Sequence, residues 1–169
     1  MRWILYIIFY GFLGFLLERI LNCTLIGCYD NSVLTGPVQP MYGIGVTVSI
    51  FVHEQLKKQR TRRFLHAFIL IVAAVLATWS SEMISGTMYE RLYHIQLWDY
   101  RDTFTLWCNH PYSCLIPTTL FGLLAAFTAV TVHRFVAIGV TVLPKALGWT
   151  VIGLFFIDVV LTYWSAVWP

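Results

Sequence analysis

Five stretches of this chain are apolar for close to the length a helix needs to cross a hydrocarbon layer. Nothing else in the sequence constrains the fold as tightly. A spanning helix takes about 20 mostly apolar residues. Residues 3–23, 64–88 and 146–168 reach that length and 115–132 nearly does, while 37–52 is short and opens on glycine and proline. Composition agrees: 59% of residues are hydrophobic and 11% charged, against about 25% charged in a soluble domain. So apolar a surface cannot be hidden inside one core of 169 residues. The expected fold is an all-α integral membrane bundle of about five transmembrane helices, in a single domain over residues 1–169. The apolar run 135–144 is too short to span and either extends the fourth helix or lies along the interface. The N-terminal run could pass for a signal peptide, but Glu18 and Arg19 stand where a small-residue cleavage site would be. A retained first helix is therefore expected.

The basic residues set an orientation. Glu54–Arg63 reads EQLKKQRTRR and carries Lys57, Lys58, Arg60, Arg62 and Arg63. Short loops rich in Lys and Arg stay in the cytoplasm. That places the N-terminus with Arg2 inside, a second inner loop between Arg134 and Lys145, and residues 24–36, 89–114 and the C-terminus outside. The clustered positive charge speaks to topology and not to nucleic acid, and no nucleic-acid partner is expected.

All four cysteines then face the outer side: Cys23 and Cys28 at the first outer loop, Cys108 and Cys114 at the second. They are disulfide candidates in an oxidising compartment, with three pairings open. His110 lies between Cys108 and Cys114, but the spacing is not that of a zinc ribbon. No metal and no other cofactor is expected.

Helical periodicity sorts the polar residues into stripes, since positions three, four and seven apart share a face. Gly11, Gly14, Glu18 and Asn22 form one stripe; Thr78, Ser81, Glu82, Ser85 and Gly86 another; Asp158, Thr162 and Ser165 a third. Small and hydroxyl residues let helices approach and bond across. In this topology Glu18 and Glu82 lie in the outer half of the bilayer and Asp158 near its middle. A charge at the bilayer centre costs about 3 to over 10 kcal/mol, so the three acids are expected to be paired, protonated or wetted in a common outward-opening cavity. Arg19, Arg91 and Arg101 are candidate counter-charges. His53 and His66 sit at inner helix ends, away from the acids. Aromatic residues crowd the outer loop (Tyr89, Tyr93, Trp98, Tyr100, Phe104, Trp107 and Tyr112) around the segment WDYRD. Some suit a headgroup belt; the acids among them suit a lid or entrance.

These residues together resemble a known family, the putative ABC-transporter type IV permeases, CmpB-like bacterial membrane proteins. The resemblance runs through GFLLE (Gly14–Glu18), GPVQPMYGIG (Gly36–Gly45), an acid at Glu82, Trp98-Asp99-Tyr100, and CLIPTTLFG, where Thr118 replaces a serine. The family's arginine ahead of that last motif is missing; TLWCNHPYS stands there instead. The resemblance implies a multi-pass protein of the bacterial inner (cytoplasmic) membrane and adds Tyr42 and Tyr100 to the candidate residues. Independently, GPVQPMYGIG breaks helical backbone beside acids, as in many transporter sites.

The leading reading is a permease-like or solute-binding membrane protein. Its outward-facing acidic and aromatic pocket would use Glu18, Arg19, Tyr42, Glu82, Trp98, Asp99, Tyr100 and Asp158 to bind a small polar or cationic solute or to relay protons. The chain has no phosphate-binding loop, so ATP use would need a separate ATPase at the basic loop, and a homo-oligomer is expected. One alternative is an intramembrane enzyme acting on a lipid or headgroup through paired carboxyls. It lacks the signatures HExxH and GxSxG, and a non-enzyme is favoured. The other is a structural or assembly protein whose acids are fully paired in a dry bundle.

Overall fold

The computed structural model describes residues 1–25, 28, 32–103, 108 and 110–167. The described residues form helices α1 (Arg2–Leu25), α2 (Pro40–Lys58), α3 (Arg63–Tyr93), the single turn α4 (Tyr100–Thr103), α5 (Leu115–Thr131), α6 (His133–Val142) and α7 (Lys145–Val167). Among them there is no strand beyond one isolated bridge, His110 with Ser113. Helices suit such a sequence because every backbone polar group then bonds within its own segment.

Among the described residues three helices, over Arg2–Thr24, Arg63–Tyr93 and Lys145–Ser165, are long and apolar enough to cross a membrane. The pair α5 and α6, bent by 60° at the break, makes up to a fourth. The sequence leads one to expect about five, and α2 accounts for the difference. The sequence predicts it over 37–52; it runs from Pro40 to Lys58, through the charged tail His53–Lys58. At its other end the Gln39 N–H donates to the Gly11 carbonyl at 3.1 Å. The chain therefore enters α2 abreast of the middle of α1 rather than at its Leu25 end. Glycine at position 11 permits the approach, since a Cβ there would stand 2.8 Å from Val38 and 3.0 Å from the Gln39 carbonyl oxygen. Gln39 is extended and Pro40 opens the helix, where a missing N–H costs nothing. The run 135–144 becomes α6, a helix of its own.

Helix α2 is the axis of the bundle, packed against α1, α3 and α5. Its buried face sets a run of small residues (Gly43, Gly45, Thr47, Ser49) between Met41 and Ile50, with Leu56 beyond, which brings the neighbouring backbones close. The α5–α6 end packs back on the start of α1, where Tyr6, Tyr10, Ile50 and Ala129 form one buried cluster. Helix α7 is peripheral and touches mainly α1 and α3. Arg2, Lys57, Lys58, Arg62, Arg63, Arg134 and Lys145 collect at one end of the bundle, hereafter the basic end. Cysteines pair at the other as Cys23–Cys28 and Cys108–Cys114.

Candidate functional site

Glu82, in the stripe of small and hydroxyl residues on α3, is 1% exposed. Its carboxylate accepts from the Thr118 hydroxyl of α5 at 2.7 Å and from the Tyr100 hydroxyl of α4 at 3.2 Å. No basic side chain pairs with it among the described residues. Burial, then the Glu82 carboxylate, pushes the Tyr100 phenol well above its ordinary range, so Tyr100 remains a donor across the physiological range. Both donors are placed by local structure. Thr118 lies in the first turn of α5, its N–H donating to the Cys114 carbonyl, and the Tyr100 N–H donates to the Pro111 carbonyl at 2.9 Å. The Cys108–Cys114 bridge thus closes the loop that seats Tyr100.

Glu18 approaches from α1. It accepts from the Gln39 side-chain amide at 3.1 Å, and it acts electrostatically on Tyr42 and Glu82. Gln39 is itself 1% exposed, and its side-chain oxygen accepts from the Val33 N–H at 3.2 Å. Tyr42 passes over Gly14, where any side chain would meet its ring. Ser81 ties the start of α2 to α3 by donating to the Met41 carbonyl at 3.2 Å. Four helices and the outer loop thus bring together Glu18, Tyr42, Glu82 and Tyr100, joined by Gln39 and Thr118. Burying a carboxylate without a cation is unfavourable unless hydrogen bonds compensate it. The hydroxyls of Thr118 and Tyr100 and the amide of Gln39 supply that compensation.

The other candidates lie elsewhere. Asp158 on α7 accepts from the Gly36 N–H at 2.8 Å, and Thr162, one turn on, accepts from the Thr35 N–H at 3.0 Å. Tyr93 donates to the Thr162 carbonyl. Asp158 thereby satisfies irregular backbone in the segment that dips beside α1, a demand that bilayer depth imposes. Asp99 is bound at the surface by Arg101, whose Nε donates at 2.9 Å, and by Gln96 at 3.0 Å. The Arg101 bonds hold the Asp99 carboxyl down at about 2. Arg101 is therefore occupied at Asp99 and does not pair with Glu82. Trp98 packs edge-on against Tyr112 at 5.5 Å, its buried indole N–H lacking a hydrogen-bond partner. Arg19 is exposed, about 100° round α1 from Glu18. Phe104 and Trp107 fall outside the described residues.

Sequence reasoning missed Gln39 and, as a site residue, Thr118. Gln39 had a visible signal: a lone amide between two prolines in a segment that must satisfy its backbone. Among the described residues no group of three His, Cys, Asp or Glu is placed to hold a metal.

No curated protein and no solved structure matches this chain significantly. A family model does, that of the putative ABC-transporter type IV proteins, over residues 5–165. The match takes in every helix that builds the Glu18–Glu82 cluster, and the chain belongs to that family.

Proposed function

We propose that this protein is a permease-like membrane component of a bacterial transporter that binds a small cationic solute at the Glu18–Glu82 cluster. The observation that carries the reading is Glu82: fully buried, held by two hydroxyls, and within electrostatic reach of a second carboxylate. An ammonium group entering there would meet two acids and the rings of Tyr42 and Tyr100, which attract a cation through their faces. The start of α2 beside this cluster, deep along α1, matches the way transporters use interrupted helices. The basic end faces the cytoplasm and the cysteine pairs face outward, consistent with positive-inside bias and an oxidising exterior. Tyr100 closes the cluster on the outer side, with Trp98 and Asp99 beside it. Powered transport would enlist a separate ATPase at the basic loop, and copies of the chain would associate to line a path.

The test is thermal unfolding of the purified chain with a series of amines from methylamine to choline. A binder at a hundred times its Kd stabilises by about 2.7 kcal/mol. The reading expects one or more amines to stabilise the wild type and none to stabilise Glu82→Gln. If no amine moves either form, the cluster is a structural lock between α3, α4 and α5, and the solute reading is wrong.

A further inference from the structure

Helix α1 carries Tyr6, Tyr10, Gly14 and Glu18 four residues apart, one face running from the basic end to the acid cluster. At one end of this face Glu18 accepts from the Gln39 amide at 3.1 Å and acts electrostatically on Tyr42. At the other, the Tyr10 hydroxyl, on a side chain 2% exposed, bonds His133 Nδ1 at 3.1 Å. His133 sits at the break between α5 and α6, its ring 4.7 Å from that of Tyr6. Between the two bonded pairs lies a cavity of about 90 Å³, lined on the α1 side by Tyr10, Leu13 and Gly14, and reached by the hydroxyl residues Tyr42, Thr78 and Thr128. A buried water needs two to four polar partners, and on this mostly apolar wall Tyr10, Tyr42, Thr78 and Thr128 are the residues that carry hydroxyls. Beyond His133 come Glu54, which acts electrostatically on both His133 and Tyr6, and His53, whose Nδ1 lies 2.9 Å from His66 Nε2. From Arg2 to Glu18 the face runs about 24 Å at 1.5 Å per residue, most of a hydrocarbon core about 30 Å thick.

We propose that these groups form a proton relay through the bundle, from Glu18 and Tyr42, through water in the cavity, to Tyr10, His133 and the Glu54–His53–His66 group at the basic end. Each transfer conserves the proton. A cavity water gives one to the Tyr10 oxygen as Tyr10 passes its own to His133 Nδ1, and the imidazolium then releases the proton on its other nitrogen towards the basic end. The relay rests on the transport reading and supplies it with an ion: a proton and a cationic solute would exchange at the Glu18–Glu82 cluster.

The experiment uses the full chain in phosphatidylethanolamine–phosphatidylglycerol vesicles holding a pH-sensitive dye, with a potassium diffusion potential set by valinomycin. Wild-type vesicles take up protons faster than protein-free ones. Tyr10→Phe keeps the ring and removes one link; Leu13→Trp removes no polar group but fills the cavity. Each lowers the flux about tenfold, equivalent to a barrier about 1.4 kcal/mol higher. Tyr89→Phe, away from the path, leaves it unchanged. Wild-type flux equal to that of protein-free vesicles overturns the relay, as does flux indifferent to both variants. Amine binding that persists without proton flux leaves the solute site standing and removes only the relay; flux without amine binding does the reverse.

Discussion

Thr118→Val tests the Glu82 cluster directly. Valine matches threonine in shape, and at a position 3% exposed it removes little besides the hydroxyl that donates to Glu82 at 2.7 Å. A hydrogen bond to a charged group contributes about 1.5–3 kcal/mol. The carboxylate is left with Tyr100, at the longer 3.2 Å, as its other donor, so the upper part of that range applies, about 2–3 kcal/mol. For a chain of this size 1 kcal/mol moves the midpoint by about 2–4 °C. Thermal unfolding in detergent should therefore fall by about 4–12 °C, and Thr118→Ser should recover most of the loss. Combining Thr118→Val with Glu82→Gln gives a double-mutant cycle, in which groups in contact couple by about 0.5–3 kcal/mol. A midpoint within about 1 °C of wild type, or strict additivity with Glu82→Gln, would refute the argument that this bond holds the buried carboxylate.

Gly14→Val pushes a side chain into the Tyr42 ring; amine stabilisation should be lost well before the fold is, as judged by the unfolding midpoint and binding read side by side. Reduction of the Cys108–Cys114 bridge frees the loop that seats Tyr100 and should weaken amine binding in the wild type, while a chain already carrying Tyr100→Phe should lose little more. The Asp99 carboxyl, held at about 2 by Arg101, gives a pH window. Its contribution is fully present above its ordinary value of about 4 and is lost as pH falls through about 2. Fluorescence of the neighbouring Trp98 should follow that low transition, and Asp99→Asn should abolish it.

What could be read from the residues follows from what each feature depends on. The long helices α1, α3 and α7 declare themselves because span length and apolarity are local properties. That Glu18 and Glu82 turn toward protein follows from their stripes, since a polar residue on a membrane helix faces the bundle. Asp158 was expected in the same hollow, but its partner is the Gly36 N–H. A backbone donor carries no mark in the sequence. The depth at which α2 begins was equally hidden, for it is set by a bond between Gln39 and a helical carbonyl of Gly11. The bend at Val132 has neither proline nor glycine beside it, the usual local causes of a kink. Beyond it, Val136 and Val140 of α6 pack against the Tyr6, Tyr10, Ile50 and Ala129 cluster.

Gln39 grips two neighbours with opposite ends of one amide, giving to Glu18 and taking from Val33. Rotating that amide by half a turn would break both bonds at once, so the group has a polarity that neither Glu nor Lys could imitate. Thr35 and Gly36, between Val33 and Gln39, are clasped by Thr162 and Asp158. Any tilt of the outermost helix would therefore be transmitted, through a single side chain, to the carboxylate on the first.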